Sequence, residues 1–276
     1  ISIKTISQTE LVDFHSTYWK PMNTILLAAG DITMNELIRL VNQELMEWEN
    51  AAVPELSLPN VKFHKGIHIV IVDRQDAAQS QIRLGSIGPS RKVSDYYAIE
   101  LMNAVLGGSF TSRLNLNLRE DKGYTYGVST GFAYGRKIGY WAGGTAVQTK
   151  VTIEALIELL KEINSIRGSK AITNFELNTA KQNLVRGFSQ RFETLGRLVD
   201  QAADLFAYNL PVETLSNYPK EIESVSLAET QDAAKKYLQY DQLLIVIVGD
   251  LSQFEAKLRA LDLGQVDVVS TEGTLL

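Results

Sequence analysis

The sequence contains an internal repeat, and this repeat restricts the possible folds more than any other feature does. Residues 6–41 align with residues 225–260 at a constant offset of 219 residues and without a gap. The matched positions include Ser7 and Ser226, Glu10 and Glu229, Tyr18 and Tyr237, and Gly30-Asp31 and Gly249-Asp250. In each copy, a serine followed three residues later by a glutamate predicts a helix that begins with a capping box. An apolar strand should follow, and then a Gly-Asp turn that caps a second helix.

Two explanations of the repeat are open. Helix–strand–helix units are common, so two similar units can arise independently. The gapless match at cap, turn and strand positions instead favours duplication of a whole domain. On that interpretation, residues 1–55 are the C-terminal fragment of a first domain, whose front half is expected upstream, and residues 56–276 form a complete second domain. The predicted strands of the two copies are Thr24–Ala29 and Leu243–Val248, and the predicted second helices are Asn35–Trp48 and Gln253–Leu261.

The second domain shows a mixed succession of strands and helices. Alternating or β-branched apolar runs predict strands, and apolar residues at helical spacing predict helices. The strands between the two copies are Ile67–Asp73, Gln81–Ile87, Tyr124–Phe132 and Ile138–Val147. The helices are Asp95–Leu106, Arg113–Asp121, Thr149–Ile166, Thr173–Arg191 and Leu195–Tyr208. This order predicts an α+β fold, an antiparallel-rich sheet with helices packed on one face, together with the tail of a preceding copy.

Composition excludes several classes of function. The net charge of −5 and the absence of a basic stripe argue against a nucleic-acid partner. The longest apolar run, Leu243–Val248, is far too short to span a membrane. The chain begins at Ile1 without methionine or signal-peptide features, so its start is expected to have been trimmed. The lack of cysteine is compatible with either a bacterial periplasm or a cytoplasm, and the compartment stays open.

No credible metal site or nucleophile is visible in the sequence. Of the three histidines, His64 and His68 are four residues apart at the entry to a strand without an acidic residue between them, and His15 lies in the first helix. We expect no metal ligands and no cofactor in this chain. No Gly-x-Ser-x-Gly motif surrounds a serine, and the glycine-rich stretches lack the spacing and the lysine of a phosphate-binding loop.

The segment Leu106–Ser129 concentrates charged and aromatic residues at a junction between a helix and a strand. Arg119 closes the predicted helix, and Tyr126 lies seven residues further on. A guanidinium and a phenol that point into one space suit a peptide carbonyl or a developing oxyanion, since both donate hydrogen bonds. The spacing alone is more typical of a solvated charged turn in which tyrosines anchor the strand.

The same segment resembles the second-domain signature of the pitrilysin/insulinase (inverzincin) family of zinc peptidases. The matching pattern is LGGSFTSRL followed by LRE-x-x-G-x-x-Y, and the resemblance extends over essentially the whole chain because the family duplicates an α+β domain of similar length. It implies a bacterial processing-peptidase-like protein in which Arg119 and Tyr126 are catalytic residues acting in trans. Tyr124 and Arg113 are expected to bind substrate. Tyr124 stands where close relatives often have leucine, which leaves open which tyrosine is the functional one.

The resemblance also implies partners. Zinc and its HxxEH motif would lie on a partner subunit or on an N-terminal domain, and the substrate would be a peptide. The leading hypothesis is therefore the substrate-binding, non-zinc component of a zinc metallopeptidase, inactive alone. The alternative is a catalytically silent scaffold of the same fold, like the core subunits of the cytochrome bc1 complex. A stand-alone module that binds a small ligand has no motif to support it.

Overall fold

The computed structural model describes residues 3–57, 61 and 65–276. The chain forms two compact units, residues 1–61 with 190–209 and residues 62–189 with 210–276. The first unit thus includes residues 190–209 from the middle of the second predicted domain. The assignment of residues 1–55 to a preceding domain copy stays a prediction.

The first unit consists of helices and extended segments. Its helices are α1 (Gln8–Tyr18), α2 (Met34–Leu45) and, later in the chain, α6 (Leu195–Tyr208). Capping boxes begin α1, with Ser7 and Glu10, and α2, with Thr33 and Glu36, so Thr33 replaces the predicted Gly-Asp cap. The predicted strand over residues 24–29 is wrong, because these residues form no strand in the described chain. A strand needs hydrogen-bonding neighbours on at least one side, and local sequence cannot supply them.

The second unit is built on a six-stranded mixed sheet with the order β3-β4-β2-β5-β1-β6. The central strand β5 lies parallel to β1 and antiparallel to β2, and β6 lies parallel to β1 at the edge. The other two pairings, β2 with β4 and β3 with β4, are antiparallel. The strands are β1 (Ile67–Asp73), β2 (Gln79–Gly88), β3 (Val128–Ala133), β4 (Gly139–Gln148), β5 (Leu244–Gly249) and β6 (Gly264–Val269).

Helices cover one face of this sheet. Ile69, Ile82 and Ile245 are at most 1% exposed, whereas their neighbours along each strand are partly or fully exposed. α3 packs against α5, α7 and α8, and α4 packs against β2 and β4. The predicted α+β fold with helices on one face is confirmed. The helices are α3 (Tyr96–Leu106), α4 (Thr152–Ser165), α5 (Asn174–Gly187), α7 (Glu213–Ser224), α8 (Leu227–Tyr237) and α9 (Glu255–Ala260).

Two elements were not predicted. α7 contains Pro219 in its interior, and an internal proline usually argues against a helix. β6 is an edge strand that carries Gln265 and Asp267 on one side, so its apolar alternation is weak. Both form because tertiary contacts outweigh the local signal: Tyr218 and Ile222 of α7 are buried, and β6 pairs with β1.

Candidate functional site

The candidate site lies at the junction between a π-helix, Asn115–Asp121, and β3. A short helix was predicted here, but its π-helical hydrogen bonding was not. The amide of Lys122 donates to the carbonyl of Asn117, five residues earlier, at 3.0 Å. Such wide turns are rare in proteins, and those that do occur are frequently found at functional sites. Leu118 is fully buried, which fixes the face that the π-helix presents to the core.

Asn115 joins this π-helix to β3. Its side-chain amide donates to the Val128 carbonyl, and its side-chain oxygen accepts from the Val128 amide, both at 2.9 Å. A third bond from the same amide nitrogen reaches the Ser109 carbonyl at 3.0 Å. Because Asn115 is 5% exposed, these bonds are shielded from water and hold both ends of the intervening loop in place.

The loop between these anchors is a turn, whereas a strand was predicted from Tyr124 onward. Gly123 has a φ of +62°, a conformation that suits glycine. The Thr125 hydroxyl accepts a hydrogen bond from the Gly127 amide at 3.1 Å and is itself linked to the hydroxyl of Thr145 on β4 at 2.6 Å. These side-chain bonds replace strand pairing, so β3 begins only at Val128.

Arg119 lies on the π-helix with its guanidinium over an aromatic ring. Its Cζ is 3.9 Å from the centroid of Phe110, and its Nη1 is 3.4 Å from the carboxylate of Glu120. The side chain is 29% exposed, yet Nη1 itself is buried and has no hydrogen-bond partner in the described chain. A buried donor without a hydrogen-bond acceptor is uncommon in folded proteins. A guanidinium has five N–H donors, which suit a carbonyl or an oxyanion.

The two tyrosines of the loop differ in their surroundings. Tyr126 is 96% exposed, so its ring has almost no contacts and does not pack against Arg119. Tyr124 is partly buried and packs against the hydrophobic core, and its amide donates to the Leu118 carbonyl at 2.8 Å. Tyr126 is therefore the more exposed of the two phenols, and the ring of Tyr124 is held against the core. The catalytic and binding roles of both stay predictions.

Arg113 links the start of the π-helix to α5 and to the segment before it through hydrogen bonds. Its Nε and Nη2 bond both carboxylate oxygens of Glu176 at 2.6 and 2.7 Å, and its remaining donors reach the carbonyls of Lys170 and Ala171. Burial of the Glu176 carboxyl favours a raised pKa, but bonds from Arg113 and Thr173 outweigh it and place the pKa below its usual range. The bidentate pair ties the start of the π-helix to α5, and substrate binding by Arg113 stays a prediction.

A cavity of about 300 Å³ opens beside the Arg113–Glu176 pair. Its walls come from the end of α3, the π-helix and the first half of α5, with Leu116 and Phe175 at 51% and 80% exposure. Neither residue was singled out from the sequence. The signal in the sequence was two apolar residues near a glycine-rich junction. Their exposure to solvent is known only from the folded structure.

The histidines do not gather into a metal site among the described residues, which hold no group of three or more potential ligands. His68 bonds Asp267 on β6 at 2.7 Å, and the ring of His15 stacks on Trp19. His64 lies outside the described residues. In the described part of the chain, no helix has the length and apolarity needed to cross a membrane.

Comparison with known proteins identifies the family. Residues 5–184 match the family described as "Peptidase M16 inactive domain". Non-peptidase homolog YmxG from Helicobacter pylori is 23% identical over 90% of this chain and 57% of its own length. Zinc protease PqqE, also from Helicobacter pylori, is 22% identical over 87% of this chain and 54% of its own length.

A solved structure supports the same fold. The peptidase M16 inactive domain from Pseudomonas fluorescens superposes with a TM-score of 0.80 at 23% identity, over 90% of this chain and 58% of that one. The chain thus spans little more than half the length of each of these three proteins. The family match covers the segment that contains Arg119 and confirms the resemblance based on that segment. The chain therefore belongs to the peptidase M16 family as one of its non-catalytic domains.

Proposed function

We propose that this chain is the substrate-binding, non-zinc component of a zinc metallopeptidase. Arg119 and Tyr126 would act on a peptide whose scissile bond lies at an HxxEH zinc site on a partner subunit or an N-terminal domain. The observation that carries the proposal is the guanidinium of Arg119, which lies over Phe110 on an anchored π-helix and whose Nη1 makes no hydrogen bond to the described residues. The name of the related zinc protease PqqE agrees with it.

The chemistry follows from the donors present. Zinc on the partner would supply a Lewis acid and an activated water. Arg119 can donate a charge-assisted hydrogen bond to the substrate carbonyl, which strengthens as negative charge develops on that oxygen. Tyr126 can add a second donor, because its hydroxyl is exposed to solvent in the chain alone. The hydrogen bonds from Asn115 to Val128 restrain the backbone that connects Arg119 and Tyr126.

Reconstitution with the zinc-bearing partner tests this proposal. Arg119→Ala should lower kcat about 100- to 1,000-fold, the effect expected for loss of one oxyanion donor. Arg119→Lys should restore part of this loss, because a lysine keeps the charge without the planar fork. An unchanged kcat in Arg119→Ala, with normal association of the two components, would remove the assigned role.

The two loop tyrosines provide a matched control. Tyr126→Phe removes a hydroxyl from an exposed ring and should lower kcat about 10-fold or more. Tyr124→Phe makes the same chemical change two residues away on a ring that packs against the core, and it should leave kcat within about 2-fold. The reverse order of effects would assign the functional phenol to Tyr124.

A catalytically silent scaffold is the second candidate, favoured by the name of the related non-peptidase homolog. A scaffold would associate with its partner without conferring peptidase activity. Arg119→Ala would then change neither peptide binding nor association. Equilibrium binding of a labelled peptide to the assembled protein separates the two functions, since only the peptidase component should lose affinity on this substitution.

A further inference from the structure

The side chain of Asn115 makes hydrogen bonds to two backbone segments that flank the candidate site. Its Nδ2 donates to the Ser109 carbonyl at 3.0 Å and to the Val128 carbonyl at 2.9 Å, and its Oδ1 accepts from the Val128 amide at 2.9 Å. The carboxamide thus bonds both backbone groups of Val128, as the backbone of a neighbouring strand would. In the described chain β3 is an edge strand, so Asn115 takes the place of a strand neighbour at its first residue.

The bond to Ser109 reaches the segment that supports Arg119. Phe110, the residue after Ser109, stacks against the guanidinium, with the Arg119 Cζ 3.9 Å from the ring centroid. Arg119 itself lies four residues after Asn115 on the same π-helix. One side chain therefore connects three parts of the site: the backbone that carries the guanidinium, the backbone that carries its aromatic support, and the start of β3.

Burial strengthens this set of hydrogen bonds. Because Asn115 is 5% exposed, water competes little for its partners. Its Nδ2 has a third acceptor, the Ser112 hydroxyl at 3.1 Å. Aspartate has the same shape as asparagine, but its second oxygen would face the Ser109 and Val128 carbonyls without a hydrogen to donate. Asn115→Asp therefore removes the donor bonds at constant volume.

We propose that Asn115 is a positioning residue for Arg119. It holds the π-helix against the backbone of Ser109 and against β3, and so fixes where the guanidinium meets the substrate carbonyl. Asn115 is buried and acts only through Arg119. Moving a catalytic group by about 1 Å can lower the rate about 100-fold, so the expected loss is in kcat. This inference rests on the proposed function of Arg119 and adds the residue that sets its geometry.

A double-mutant cycle tests the proposal in the chain assembled with its zinc-bearing partner. Asn115→Asp should lower kcat about 10- to 100-fold and change KM by less than about 3-fold. In an Arg119→Ala background the same substitution should lower kcat by less than about 2-fold further, because the side chain that it misplaces is already absent. A residue that only stabilised the fold would cause the same fold-loss of kcat in both backgrounds, and that result would overturn the proposal.

The cycle also separates this inference from the proposed function. A reduced kcat in Arg119→Ala beside an unchanged kcat in Asn115→Asp would overturn the positioning role and leave the function of Arg119 in place. An unchanged kcat in both variants would remove the proposed function, and the positioning role with it.

Asn103 provides a matched control. Its Nδ2 donates to the Thr130 carbonyl at 3.0 Å, and its Oδ1 accepts from the Thr130 hydroxyl at 2.8 Å. It thus ties α3 to the same strand, two residues beyond the contact of Asn115 with Val128. Asn103→Asp should leave kcat within about 2-fold of the parent. Equal losses of kcat in Asn103→Asp and Asn115→Asp would contradict a specific role of Asn115.

A second variant covers the case in which Asn115→Asp does not fold. Asn115→Leu has a similar volume, adds no charge and removes every hydrogen bond of the carboxamide. It should lower kcat about 10-fold or more, again with little further loss in the Arg119→Ala background. Amide exchange of Val128 should quicken at least about 10-fold, because that amide loses its acceptor. Unchanged exchange at Val128 together with an unchanged kcat would overturn the proposal.

Discussion

Residues 7–30 and residues 226–249 have similar sequences and opposite environments. The same capping box begins α1 and α8, and both helices span eleven residues. Only the second copy continues into a strand, and only there are the apolar residues buried. The cap and the backbone hydrogen bonds of the helix join residues three or four positions apart, and they form in both copies. Strand formation requires neighbouring strands that local sequence does not contain.

The largest difference in the free energy of unfolding is expected between substitutions of Ile245 in β5 and of the matched residue Leu26. Ile245→Ala should lower the free energy of unfolding by about 2–5 kcal/mol, because it leaves a cavity in the core. Leu26→Ala at the matched exposed position should change it by less than about 0.5 kcal/mol. Urea unfolding, followed by fluorescence of the buried Trp141 in a Trp19→Phe, Trp48→Phe background, measures both. Equal losses would mean that the first copy is buried in solution.

A smaller effect is expected at Asp95, which holds α8 to the start of α3. Hydrogen bonds from Lys236 and Tyr237 place the pKa of Asp95 below its usual range. Since the folded pKa is depressed, this stabilisation is present above the unfolded pKa and is lost as the pH falls through the folded value. Asp95→Asn should cost about 1 kcal/mol at pH 7, a figure reduced by solvent screening of the partly exposed carboxyl. Unfolding measured from pH 7 to pH 3 should show the two proteins converging below about pH 4.

Tyr237 and its counterpart Tyr18 test the contact with Asp95 from the tyrosine side. Tyr237→Phe removes the hydroxyl that donates to Asp95 and should cost about 1 kcal/mol. Tyr18→Phe makes the matched change in the first copy and should leave the unfolding midpoint unchanged. A double-mutant cycle of Tyr237→Phe with Asp95→Asn should recover a coupling of at least about 0.5 kcal/mol. Additive losses would show that the hydroxyl is stabilised by something else.

The smallest effect is expected at the helix caps. Ser226→Ala removes the hydroxyl that accepts from the Glu229 amide, and loss of such a cap costs about 0.5–1 kcal/mol. The loss should appear in the Trp141 transition, because α8 packs into the core that Trp141 shares. Ser7→Ala should reduce helix content by circular dichroism without moving that transition. A shift of the transition by Ser7→Ala would show that the stability of the core around Trp141 depends on α1.

The sequence singles out Arg119 and Tyr126, whose roles stay predictions, but it does not indicate the geometry around them. The helix–strand junction and the positions of Arg119 and Tyr126 follow from the Leu106–Ser129 segment. The π winding does not, since it depends on Leu118 and Asn115 being held by the core and by Val128. The pairing of Arg113 with Glu176 joins residues far apart in the chain, and no local pattern indicates it.

The sequence by itself determined the repeat, the capped helices, the α+β class and the segment that identifies the family. Each of these depends on periodicity or on contacts within a few residues, where the chain has little conformational freedom to lose. Only the tertiary structure decided which copy of the repeat is buried, where β6 pairs, and which donor of Arg119 makes no hydrogen bond within the described residues. These features depend on contacts between distant residues, whose free energy is gained only after the chain has closed long loops and excluded water from its core.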